Sequence, residues 1–589
     1  MRPLPLENHK IPPHASRYET IRELKILIGE LLRRNGIQNP PCAPTVEYLD
    51  SGFDDPDDDD DEDTAHIQIV NRMVPGQPNT VRPTVLITAQ WNDQSQFAWD
   101  KVVRMIKIRV DDMLEQGQLR MNLDVEMIAT QLAWPMYMSP IHNQPQLAAQ
   151  WENMAKQIYS MLQSNPASGD STRCIYLCRL GYFSTEPHRN PMTVYIAVDY
   201  DFPEDLWGPV VTMIEYFVRQ FPGHLHVKME HCAHERGAFQ PLVPRERQTF
   251  AQGYPAPYSR ALSMGSDVGP GLYLQTTSGE RRHPGMGTIG CFVDVKISPN
   301  SAWKRLALTN YHVVRPSLGG LVVHNEKVEF ALPNSPALRA DRDGLKPSQQ
   351  PSVLMEHPSR RRHNQHLSDL QEKIKSLGAS QNASQRHRDN YVAKKAFFDN
   401  GQQLLGKIWA ASGYCRRTKN NSRLDWALIE VPQDRPSSNV LPSQHAWKND
   451  CPDPDGCGPN ARLRLDTQGA SVAKFKQWGE FFKFGAKTGP TAADYSEFRA
   501  VTKYANDKHL QAPPSLEYVF HGRYGPFSTP GDSGSAVFNT HGLLAGILFT
   551  GPVSHQASKG GYGYVTPIED IFQDIKAFTG VFDVRLAQE

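Results

Sequence analysis

TPGDSGSAV, residues 529–537, crowds two glycines around an Asp-Ser pair and runs at once into Ala536, Val537 and Phe538. A serine that attacks a carbonyl must stand on a tight turn, which glycine permits, with backbone amides aimed at the oxygen that becomes negative. An ordinary polar turn uses the same residues. The choice therefore depends on whether the chain also supplies a base to take the serine proton and an acid to orient that base.

Two segments offer these partners. LTNYHVV, residues 308–314, puts His312 at the end of a β-rich run, and RLDWALIEV, residues 423–431, puts Asp425 at the start of one. Around them the last 300 residues are short β-rich runs separated by turn-forming clusters: TIGCFVDVKI, RLALTNYHVV, GLVVHNEKVEF, GLLAGILFTG and GYGYVTPI. That pattern predicts an all-β barrel or sandwich. One stretch interrupts it: HPSRRRHNQHLSDLQEKIKSLGASQNASQRHRDNYVAKKAFF, residues 357–398, is basic and polar, with Leu367, Leu370, Ile374 and Leu377 at helical spacing. It reads as a surface helical insertion over about 335–400, which a loop tolerates because extra length adds little closure entropy.

The three motifs, Thr-Asn-Tyr-His-Val-Val, Asp-Trp-Ala-Leu-Ile and Gly-Asp-Ser-Gly-Ser, follow one another in the order His, Asp, Ser. Together they resemble the chymotrypsin-fold (trypsin-like) serine peptidases, and the His motif is most similar to the disulfide-free, HtrA-like branch. FGAKTGPTA at 484–492 resembles that branch's Gly-rich strand and turn, and GYGYVTPIEDIF at 561–572 its last strand and closing helix. The likeness covers about 280–580 and implies a double β-barrel. It implies a triad of His312, Asp425 and Ser533, an oxyanion hole from the amides of Gly531 and Ser533, and hydrolysis through an acyl-enzyme. It also implies a substrate pocket with Phe527 at its base and Gly551 and Gly563 in its walls, suited to apolar or small side chains.

The departures are informative. Val313 and Thr529 stand where secreted members of that family carry cysteines, so two familiar disulfides cannot form. No Ile-Val-Gly-Gly start precedes Cys291, which argues against activation by a new N-terminus pairing with Asp532.

The chain of 589 residues exceeds the size of a single core and suggests a multidomain protein. Residues 17–36 predict a helix ending at Gly36, and the acidic run at 54–64 reads as a disordered linker, so that 1–65 form an N-terminal helix and linker. Two stretches then echo one another. PTVLITAQWNDQSQFAWDKVVRMIKIRVDDML leads into LDVEMI, and MTVYIAVDYDFPEDLWGPVVTMIEYFVRQF leads into LHVKMEH. Each runs strand, polar turn, tryptophan (Trp99 or Trp207), amphipathic helix, strand. The expectation is an α/β domain of two related halves over 66–235, with both tryptophans as core anchors. Residues 236–280 read as a connector and 281–580 as the peptidase domain.

With 63 basic and 63 acidic residues, bulk charge selects neither nucleic acid nor an anionic membrane as partner. No apolar run is long enough to span a bilayer, and the start lacks the apolar core of a signal peptide, so an intracellular location, cytoplasmic or nuclear, is expected. Eight dilute cysteines fit a reducing compartment. Neither Cys174 with Cys178 nor Cys451 with Cys457 completes a four-ligand zinc pattern. His224, His226, His231, His234 and Cys232 crowd together without the spacing of a metal site, so no metal or other cofactor is expected. The expected activity is a serine endopeptidase acting on a protein or peptide substrate, its N-terminal domain recognising substrate or partner. The competing class is a protease-fold scaffold that is catalytically silent or cuts only itself.

Overall fold

Alternation of apolar residues with turn clusters builds most of this chain into sheets, and the computed structural model describes how they connect over residues 7–10, 18–37, 66–73, 80–91, 95–129, 136–165, 171–183, 186–199, 202–231, 258–277, 279–324, 327–376, 381–442, 447, 461–466, 472–504, 510–523, 525–550 and 561–588. The echo seen in the sequence is part of a longer repeat. The first copy runs β1 (Glu7–Lys10), α1 (Tyr18–Arg34), β2 (Ile67–Met73), β3 (Arg82–Ala89), α2 (Ser95–Glu115) and β4 (Asp124–Ala129). The second runs β5 (Tyr137–Ser139), α3 (Pro145–Ser164), β6 (Thr172–Gly181), β7 (Met192–Val198), α4 (Trp207–Val218) and β8 (His226–His231). In each, the first three strands pair antiparallel and the last two parallel, with a helix crossing between the parallel pair.

The helices form because their apolar side chains fall on one stripe. In α2, Trp99, Val102, Ile106, Val110 and Met113 are buried, and in α3, Leu147, Trp151, Met154, Ile158 and Leu162. Trp99 is buried and Trp207 half-buried against His231 and Phe202.

The two copies, expected from sequence as one domain over 66–235, fall in different sheets. The first is a separate four-stranded sheet whose core also takes Leu24, Ile28 and Leu32 of α1, so the N-terminal helix belongs to it. The second is joined edge to edge with the C-terminal barrel, Ile175 and Cys174 of β6 pairing with Val501 and Thr502. The strand TRCIYLCRLG is an unbroken, largely apolar run because it is buried on both faces.

In the C-terminal region, one sheet orders the strands Gly287–Thr288, Asp267–Pro270, Leu354–Glu356, Leu404–Ala411, Ala427–Glu430, Trp303–Thr309, Cys291–Lys296 and Asp583–Leu586. Val268, Phe292, Ala307, Met355, Ile408 and Ile429 share one core within it. Asp267–Pro270, within the stretch 236–280 read from sequence as connector, is therefore a strand of this sheet, and Val268 and Met264 are fully buried. The second sheet closes on itself. Gly489–Tyr495, Glu480–Gly485, Ala536–Asn539, Leu544–Thr550, Tyr562–Pro567 and Ser515–Gly522 follow in order, and the last pairs back with the first. A six-stranded antiparallel barrel without free edges results.

The insertion is narrower than its sequence reading. Residues 336–343 form a helix that buries Ala337, Ala340 and Asp341. The inserted hairpin proper is α5 (Arg360–Ser376) and α6 (Gln381–Asp399). Its root is not a surface feature, because Arg362, His363 and Leu370 are buried. Leu377 lies outside the described residues.

Candidate active site

Of the three sequence-predicted site residues, His312 and Asp425 are brought into direct contact by neighbouring strands. Strand Trp303–Thr309 ends at Asn310, and a single helical turn, Tyr311–Val314, presents His312. Asp425 precedes strand Ala427–Glu430, which pairs directly with the His312 strand, so the ladder itself sets their separation. The His312 amide donates to Asp425 Oδ1 at 3.0 Å, and His312 Nδ1 lies 2.7 Å from Oδ2. Both side chains are buried. Asn310 Nδ2, at 2.7 Å, and the Tyr311 amide, at 3.1 Å, both donate to the Asp425 carbonyl, fixing the aspartate backbone as well. A carboxylate so placed holds the imidazole in the tautomer that leaves Nε2 bare, and His312 Nε2 is buried without a hydrogen-bond partner among the described residues.

Behind this turn lies a second charged cluster. Tyr311 donates from its hydroxyl to Asp341 Oδ1 at 2.7 Å, and Arg315 forks onto both Asp341 oxygens at 2.6 Å. A bidentate pair of this kind is geometrically specific, and it anchors the helical turn around His312.

Ser533 stands on the turn between Gly531 and Gly534. Gly531 and Gly534 have φ of 110° and 98°, conformations that side chains rarely adopt. The Ser533 carbonyl accepts from the Thr288 amide at 2.7 Å, and the Gly531 carbonyl from Thr288 Oγ1 at 2.9 Å. With both carbonyls tied back to the first sheet, the amides of Gly531 and Ser533 donate to no acceptor among the described residues. Ser533 Oγ donates to the Phe549 carbonyl at 3.2 Å rather than to His312.

The turn is held by a residue that the sequence reading missed. Asp532 and Lys483 are both fully buried, with Lys483 Nζ 3.2 Å from Oδ2. Thr488 Oγ1, at 2.8 Å, and the Thr529 amide, at 3.1 Å, both donate to the same oxygen, while the amides of Lys487 and Thr488 donate to Oδ1. Burial alone pushes the Asp532 carboxyl up, but Lys483, Thr488 and the Thr529 amide outweigh it and hold the group below its ordinary range. Lys483 supplies an internal ammonium, so Asp532 needs no new chain terminus. The signal was present in the sequence: a lysine amid the apolar run EFFKFG is rarely buried unless paired.

Phe527 is fully buried, its ring in a core with Phe520, Val537, Leu548 and Val565. A methyl added to Gly563 would lie 3.1 Å from that ring, so the two residues are neighbours. Gly551 lies outside the described residues. The histidine cluster does not converge: His224 and His226 are exposed, His231 is buried with Nε2 2.8 Å from the Phe202 carbonyl, and Cys232 and His234 lie outside the described residues. Among the described residues no three His, Cys, Asp or Glu side chains group as a metal site would require, and no helix is long and apolar enough to cross a membrane.

No protein-family model matches the chain, and no curated protein matches it in sequence. Solved structures it is similar to include serine proteases. Nocardiopsis protease (NAPase) is 11% identical, with a TM-score of 0.26 over 56% of this chain and 100% of that one. A glutamic acid specific serine protease described as using a novel histidine triad in substrate binding is 11% identical, with a TM-score of 0.24 over 54% and 98%. Cellulomonas bogoriensis chymotrypsin is 13% identical, with a TM-score of 0.21 over 31% and 81%. Scores of this size do not bear on activity, which has to be judged from the geometry of the site.

Proposed function

We propose that the protein is an intracellular serine endopeptidase working through His312, Asp425 and Ser533. The observation that carries this reading is the buried two-point contact between His312 and Asp425, which leaves Nε2 bare; a glycine turn at Ser533 whose two amides are unengaged among the described residues supports it. Substrate binding would draw Ser533 Oγ from the Phe549 carbonyl towards Nε2, since such contacts often form only in the substrate complex. Oγ then bonds to the scissile carbonyl carbon as His312 takes its proton. The negative oxygen sits between the amides of Gly531 and Ser533, and the C–N bond breaks as His312 returns the proton to the leaving amine. Water, deprotonated by the same imidazole, releases the acyl group and regenerates Ser533. The buried Phe527 beside Gly563 favours apolar or small side chains before the cut. Cleavage of a peptide library mainly after Arg or Lys would refute that preference.

One observation favours the second reading, a silent or self-processing scaffold: the serine hydroxyl is bonded to a backbone carbonyl and not to the base. A fluorophosphonate probe separates the two. The first reading expects an adduct on Ser533 that Ser533→Ala abolishes and His312→Ala reduces by about 10³-fold or more. Folded wild-type protein that fails to label supports the scaffold.

A further inference from the structure

The first turn of the inserted hairpin is wired to the nucleophile's turn through a single peptide group. Arg362, at the start of α5, is buried and donates from Nη2 to the Ala486 carbonyl. The other end of that same peptide, the Lys487 amide, donates to Asp532 Oδ1 at 3.0 Å. One residue earlier, the Ala486 amide donates to Thr288 Oγ1 at 3.0 Å, and Thr288 in turn holds the carbonyls of Gly531 and Ser533. A cation on the carbonyl end and a carboxylate on the amide end polarise this peptide in the same sense, which strengthens both bonds and fixes its plane.

Arg362 is itself held in place. Asp267, fully buried, faces its Nη1 at 3.3 Å and accepts from the Ser359 amide at 2.7 Å, while His357 Nδ1 lies 2.8 Å from the Asp267 carbonyl. Burial pushes the Asp267 carboxyl up, but Arg362, His357 and Ser359 outweigh it and keep it ionised. Ser359 also touches Met286 Sδ at 3.8 Å, and the Met286 methyl lies 3.4 Å from where a Cβ on Gly531 would stand. A loop that merely tolerated an insertion would need none of these buried charges.

We propose that Arg362 is a positioning residue of the active site. The root of the inserted hairpin sets the plane of the Ala486–Lys487 peptide, and through it the Asp532-Ser533 turn that presents the oxyanion amides. Its kinetic consequence rests on the hydrolase reading; its structural consequence does not. A ligand that shifts α5 would thereby change the rate at Ser533 without touching substrate.

The test compares full-length wild type, Arg362→Met, Arg362→Lys and, as a control on the exposed face of α6, Arg386→Met. Hydrogen exchange mapped by mass spectrometry is expected to speed up on the order of tenfold in 485–489 and 529–535 of Arg362→Met, with 291–296 unchanged. The kcat for a peptide substrate should fall about 10²-fold with KM within about threefold, and Arg362→Lys, which can still donate to Ala486, should recover part of it. Wild-type exchange in both segments of folded Arg362→Met overturns the proposal. So does protection lost evenly across the first sheet, 291–296 included, because that is a merely structural role. Wild-type protein that fails to label at Ser533 removes the hydrolase reading alone, and the exchange comparison still decides this one.

Discussion

The two copies of the repeated unit share strand order, pairing direction and helix placement, yet one stands as a separate sheet and the other is built into the barrel that carries Ser533. The difference lies at one strand edge. In the first copy, β1 pairs with β2 over Val70–Met73. In the second, β5 pairs only with Arg179–Gly181 at the end of β6, and Ala500–Thr502 of the barrel occupies the start of the same edge at Cys174 and Ile175. Around that junction, Trp151 Nε1 donates to the Arg499 carbonyl at 2.7 Å, and Tyr176 and His521 share a 2.5 Å hydrogen bond. Burial, with His142 nearby, pushes His521 down to about 3, so this ring is neutral at pH 7. The core of the second copy runs on through Tyr562 and Tyr564 to Phe549, whose carbonyl receives the Ser533 hydroxyl. Equal topology thus gives unequal reach: disturbance of the second copy should arrive at Ser533, and disturbance of the first should not.

The largest expected effect comes from breaking the turn inside the barrel with both copies intact. Lys483→Met leaves the Asp532 carboxylate buried without its cation, which costs about 3–5 kcal/mol, and Ser533 labelling should be lost with it. Its pH dependence is diagnostic. In the wild type Asp532 is held below its unfolded value of about 3.9, so its contribution is complete above that pH and lost as pH falls through the folded value. Without Lys483 the largest influence opposing burial is gone, so the folded carboxyl titrates higher than in the wild type and this contribution shrinks. The gap between the two melting temperatures should therefore widen from about pH 3 to about pH 6. A gap that stays constant would mean the pair does not hold the turn.

Next in size is a matched pair of truncations. Trp151→Ala in the second copy should cost about 3–5 kcal/mol and Ile28→Ala in the first about 2–5 kcal/mol, both read from denaturant melts. Only Trp151→Ala should also slow Ser533 labelling, and equal labelling rates in the two folded variants would erase the contrast between the copies. The smallest effect sharpens the same point. Phe97, on α2 of the first copy, is 85% exposed, and Phe97→Ser should change stability by no more than about 0.5 kcal/mol and leave labelling untouched.

Much of the site was legible because its chemistry is local. Ser533 sits within a four-residue turn motif, and His312 and Asp425 sit at strand ends whose apolar runs announce them. The supports were less legible, since Lys483, Asp341, Arg315 and Arg362 act through partners 26 to 124 residues away. Each is a charge in or beside an apolar segment, a pattern that signals a buried pair but does not name the partner. The insertion misled for the same reason: its polar, basic composition matches a solvated hairpin, and nothing local marks Arg362 as the one arginine of three that turns inward.

By itself, then, the sequence determined the β-rich C-terminal architecture, the repeat and the identity of the three candidate reactive side chains, because periodicity, turn chemistry and short motifs are encoded within a few neighbouring residues. Only the tertiary structure decided which strand edge each copy offers, which cation faces Asp532, and that the inserted hairpin is rooted against the turn that carries Ser533. Those are choices among long-range pairings, and their energies depend on burial and on partners that no local pattern specifies.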